Sequence, residues 1–131
     1  MNRFRPLFST ALALVILAGT PVFVRHAEAQ AASQPLVVVR FNQARVYYDQ
    51  QLYSAISQAV SVKPDVIFDV VSNAPVTGDS RQDDQWITTA SRNTQAVVAV
   101  MKSFGVPMER MRITGKATPG IRYDETQIYA H

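Results

Sequence analysis

The sequence predicts an α+β domain, a two-layer sandwich of two helices packed on one mixed sheet, with elements in the order β-α-β-α-β-β. Three observations carry this expectation. A long stripe of apolar and small residues at Ile87, Ala90, Thr94, Val97, Val98, Met101 and Phe104 is spaced by threes and fours, which is one face of a helix. Two runs rich in β-branched residues, Leu36 to Asn42 and Val66 to Val71, precede it, and shorter alternating runs follow it. No internal repeat or second composition regime divides residues 36–131, so these elements belong to one domain. A helix of that length does not hold an apolar stripe against water by itself and needs a sheet to cover it.

Each element follows from its own residues. In the first strand Val37, Val39 and Phe41 share one face. Gln43 to Tyr48 crosses over, and Asp49 is placed to cap a helix bearing Leu52, Ala55, Ile56, Ala59 and Val60. Lys63-Pro64-Asp65 ends that helix. In the second strand Val66, Phe68 and Val70 face one way and Ile67, Asp69 and Val71 the other. A polar loop is expected from Ser72 to about Asp84, then the long helix, with Lys102 in its last turn. Gly105 is the natural C′ residue and Pro107 forbids continuation. Met111, Ile113 and Gly115 alternate with Arg112 and Thr114 as a strand, Thr118-Pro119-Gly120 marks a turn, and Thr126 to Tyr129 forms a last strand.

The N-terminus reads as an export signal. Arg3 and Arg5 precede an apolar run from Leu7 to Gly19, and Ala27-Glu28-Ala29 is a small-x-small cleavage site. The expectation is a signal peptide over residues 1–29, with cleavage after Ala29 (Ala31 is the alternative) and a spacer over residues 30–35. An uncleaved inner-membrane anchor is the competing reading, although Thr20-Pro21 interrupts the run and leaves it short for a span. With no cysteine in the chain, a lipid anchor on a cleavage-site cysteine is excluded, as are disulfides and thiol catalysis.

Charge and residue inventory exclude several classes. The chain carries a formal +3, but the leader holds Arg3, Arg5 and Arg25 against Glu28, which leaves +1 for residues 30–131. Their basic residues are scattered singly, so no nucleic-acid surface is expected. The only histidine after the leader is His131, so neither a Ser-His pair nor a histidine metal site is expected, and no cofactor is implied. Asp79, Asp83 and Asp84 lack the alternation and trailing glutamate of a calcium loop and suit a helix start instead. Asp69, alone among apolar strand neighbours, is expected either to face solvent on an edge or to pair with Arg40 or Arg112 across the sheet. Trp86 stands at the loop–helix junction, either as a staple to the core or as an exposed anchor for a partner.

The pattern over Leu36 to Tyr129 resembles the OmpA-like C-terminal domain family. The most specific part is Gly105-Val106-Pro107-Met108-Glu109-Arg110-Met111 followed by Gly115; the first strand ending in Phe41-Asn42 and the closing Gln127-Ile128-Tyr129 add to it. The resemblance implies a non-enzymatic, periplasmic cell-envelope module of a Gram-negative-type bacterium, many members of which bind peptidoglycan. In such members an aspartate just after the second strand takes the ammonium of a stem-peptide side chain, and an arginine early in the long helix takes its carboxylate. Counting twelve residues back from Gly105 places the family's arginine at Asn93, with Arg92 its neighbour; the aspartate's place falls near Asn73 to Pro75, with Asp79 in the loop beyond. Asn73, Asp79, Arg92 and Asn93 are therefore the candidate ligand-binding residues. The alternative implied by this departure is a domain that has lost the ligand and serves as an interaction or scaffold component for another envelope protein.

Overall fold

A computed structural model describes residues 34–131; the expected leader and most of the spacer lie outside the described residues. The elements are β1 (Val37–Arg40), α1 (Asp49–Val62), β2 (Phe68–Pro75), α2 (Ser80–Ser103), a single 3₁₀ turn at Met108–Arg110, β3 (Met111–Thr118) and β4 (Glu125–Ala130). The fold is the expected α+β arrangement of two helices on one four-stranded mixed sheet.

The strands lie in the order β1-β4-β2-β3. β4 runs antiparallel to both neighbours, with Val37 opposite Ile128 on one side and Val70 opposite Ile128 on the other. β2 and β3 are parallel, with Phe68 opposite Met111 and Pro75 opposite Thr118. The period of two then sorts side chains by face. Val37, Val39, Phe68, Val70 and Ile128 face the helices and are buried together with Leu52 and Ile56 of α1 and Val97, Val98 and Met101 of α2. The other face carries polar groups: Arg40 pairs with Glu125 at 3.3 Å, Glu125 accepts from Gln127, and Gln127 accepts from the Tyr129 hydroxyl.

Several boundaries differ from the sequence expectation: β1 ends at Arg40, β2 begins only at Phe68, and β3 runs on through Thr118. β2 continues through Ser72–Pro75 because those residues pair with Gly115–Thr118, and the Thr118 hydroxyl donates to Asn73 Oδ1 at 3.0 Å. α2 begins at Ser80, so Asp84 and Trp86 belong to the helix rather than to a loop. Its start is fixed by polar side chains: Asp79 accepts from the Arg81 and Gln82 amides, and Asp83 accepts from both the amide and the hydroxyl of Thr77. Asp49 is the first residue of α1, after Tyr48 at the cap position, and makes no capping bond; its charge still lies in the first turn, where the dipole favours it. At the other end of α2, Gly105 adopts φ 93°, the left-handed conformation expected of a C′ glycine.

Asp69 is also paired otherwise than expected. Ile67 and His131 exchange backbone hydrogen bonds, which extends the β2–β4 ladder by one rung and brings His131 Nε2 to 2.6 Å from Asp69 Oδ2. Arg40 lies two strands away and is taken by Glu125.

Candidate functional site

The four candidate residues do not form one site. Asn73 is buried in β2 on the face away from the helices; its amide donates to the Val71 carbonyl and its oxygen accepts from Thr118. Asp79 spends its carboxylate on capping α2. Arg92 is exposed on the outward flank of α2, beside Arg81, Asp84, Gln85, Thr88 and Thr89. One residue is about 100° of helix, and that rotation separates Arg92 from Asn93. Only Asn93 turns toward the sheet. Its Nδ2 donates to Asp124 Oδ2 at 2.9 Å.

Asp124 is the residue that organises this region. It stands immediately before β4 in the inward phase that Thr126 and Ile128 continue. Its carbonyl accepts from the Phe41 amide at 3.0 Å, so the chain leaving β1 is tied to the chain entering β4. Its side chain is only 2 % exposed, yet it borders an open depression. Burial pushes its carboxyl above the usual range, and the Asn93 hydrogen bond pulls in the opposite direction without cancelling that shift. Next to Asn93 in α2, the Thr94 hydroxyl meets that of Thr126 at 2.7 Å, which fixes α2 against β4 and hence Asn93 against Asp124.

The depression, about 460 Å³, lies between α2 and the β1–α1 connection. Trp86, Thr89 and Asn93 form one side and Phe41 and Arg45 the other, with Asp124 at its base. Phe41 is held by the edge of Tyr48, with ring centroids 6.2 Å apart and planes at 77°. Burial, with the neighbouring Asp49 carboxylate, pushes the Tyr48 phenol up. A buried carboxylate, an exposed guanidinium and two aromatic rings are thus presented around one concavity. Trp86 is half-buried and lines the concave surface from the first turns of α2.

Asp124 and Arg45 were not legible as site residues from spacing. Asp124 is 31 positions from Asn93, and only the sheet topology joins them. One signal was present: counting back by twos from Ile128 and Thr126 puts position 124 on the buried face, where a carboxylate is unusual. Among the described residues no cluster of three acidic or histidine side chains is arranged to hold a metal ion, and no helix is long and apolar enough to cross a membrane. The chain matches no protein-family model and no curated protein.

Proposed function

We propose that this chain is an exported, non-enzymatic module of the bacterial cell envelope, related to the OmpA-like domains, that holds the peptidoglycan stem peptide in the depression at Asp124. The observation that carries this reading is the buried Asp124 carboxylate at the base of an open concavity whose rim bears Arg45. A zwitterionic side-chain terminus needs an anion for its ammonium and a guanidinium for its carboxylate. Asp124 and Arg45 supply that pair, and the rings of Phe41 and Trp86 flank the space for the aliphatic part and for the ammonium itself. In the family resembled, the pair comes from the end of the second strand and from the long helix. Here those registers hold Asn73, used internally, and Asn93, which orients Asp124. The chemistry is the same, taken from different elements.

The test is co-sedimentation of residues 30–131 with insoluble peptidoglycan sacculi. The wild type is expected to pellet with the sacculi, Arg92→Ala to behave like it, and Asp124→Asn and Arg45→Ala to lose at least about tenfold in affinity, the usual size of one lost charged contact. Absence of binding by folded wild-type protein would sink the reading. It would favour the alternative of an envelope interaction domain that has lost its ligand, which the internal use of Asn73 and Asp79 independently supports.

A further inference from the structure

β3 is an edge strand of eight residues, bonded to β2 on one side and, among the described residues, to no strand on the other. α2 lies chiefly over β2 and meets the flanking strands β4 and β3 only lightly. The helix-facing side of β3 is therefore left open as a groove of about 370 Å³ between α2 and the sheet edge. Its walls are Ile87, Ala90 and Ser91 of α2 and Ile113, Gly115 and Ala117 of β3. Ile87 is half exposed, and a Cβ added at Gly115 would meet no heavy atom within 4 Å beyond its chain neighbours. The groove thus runs directly alongside a row of unpaired backbone donors and acceptors.

The opposite face of the same strand is basic. Arg112 and Lys116 are exposed, two positions either side of Thr114, and neither joins an ion pair among the described residues: Asp69, opposite Arg112, is taken by His131, and Asn73 stands opposite Lys116. This charge selects the occupant. A second copy of β3, added antiparallel across a twofold axis, would gather four cations on one face with no acid among them, which is unfavourable for directly facing strands. An extended segment that alternates acidic and small aliphatic residues satisfies both faces. Its aliphatic side chains enter the groove, its carboxylates meet Arg112 and Lys116, and its backbone continues the sheet.

We propose that β3 is a strand-addition site for an extended acidic segment of a partner protein, paired along Met111–Thr118 with its aliphatic residues between Ile87 and Gly115. The site is on the flank of α2 away from Asp124, so it is independent of the depression described above.

The test titrates residues 30–131 with a peptide alternating glutamate and valine and follows backbone amide shifts by NMR. The expected result is saturable change confined to residues 111–118 and the facing turns of α2, weakened by salt. Two variants keep the idea falsifiable without disturbing the core. Arg112→Glu/Lys116→Glu should lose at least about tenfold in affinity for this peptide and gain affinity for its lysine–valine counterpart. Gly115→Val places a β-branched residue in the open groove, so the fold should persist while binding falls. Asp124→Asn should bind the peptide like the wild type. No saturable shift, shifts elsewhere, or affinity indifferent to both the charge reversal and the groove-filling variant would overturn the proposal. A self-associating wild type whose β3 amides are already protected would overturn it too, in favour of a second copy.

Discussion

At the scale of single residues, Asp124 carries a cost that folding accepts. Its carboxyl titrates above the ordinary range in the folded chain because burial disfavours the charge. The folded state therefore binds more protons than the unfolded state between the two values, and stability falls as pH rises from the ordinary carboxylate range through the raised one. Asp124→Asn removes the charge and keeps an acceptor for Asn93. It is expected to raise stability at neutral pH and to flatten that stretch of the pH profile, as read by denaturant midpoints across acid to neutral pH. A gain in stability paired with a loss of sacculus binding would mark Asp124 as a group kept for contact rather than for folding. Asn93 was reachable from the sequence because its register can be counted from Gly105 along one helix. The cap made by Asp79 was not legible, because it depends on where α2 begins, and a helix start within a polar stretch leaves no apolar period to mark it. Arg92 and Asn93 differ by a rotation that composition does not encode, and the turn of α2 on the sheet decides between them.

At the scale of elements, the two ends of α2 are held by different means. The C-terminal end stops at a left-handed glycine, visible in the sequence as Gly105 followed by Pro107. The N-terminal end rests on Asp79 and on Asp83, whose carboxyl is held below the usual range by the Thr77 hydroxyl and amide. Asp79→Ala is expected to cost about 1 kcal/mol, the usual loss of a side-chain cap, measured as a shift in the denaturation midpoint. The loss should fray Ser80 to Asp84 without moving Asn93, which lies several turns further along. The strands were legible where one face is apolar, as in Val37, Val39, Val70 and Ile128. They were misjudged at Ser72–Pro75, where the polar Ser72 and Asn73 are buried between β3 and β4 and their ladder bonds carry the strand past its apolar run. Pairing partners distant in sequence give no local signal, which is why β2 extends further than its apolar run.

At the scale of the whole molecule, one core serves every element. Met101 of α2 is fully buried in the cluster that includes Leu52 of α1, Phe68 of β2 and Ile128 of β4. Met101→Ala should cost roughly 2–5 kcal/mol, the range for emptying a buried site of this kind. Because the core is shared, far-ultraviolet dichroism and the fluorescence of Trp86, the single tryptophan of the chain, should report coincident unfolding transitions in wild type and variant. Separate transitions would show that the depression and the sheet unfold independently, contrary to one shared core.

The strand order has a temporal consequence. β4, last in sequence among the described strands, is laid between β1 and β2, and among the described residues β1 has no other strand beside it. A growing chain that has made β1, both helices, β2 and β3 still lacks the strand that joins β1 to the rest. Sheet closure waits for Glu125–Ala130, and its rate is governed by contacts between distant parts of the chain. Until then β1 has no strand to pair with in the sheet, and removal of residues 125–131 should leave a product whose sheet never closes.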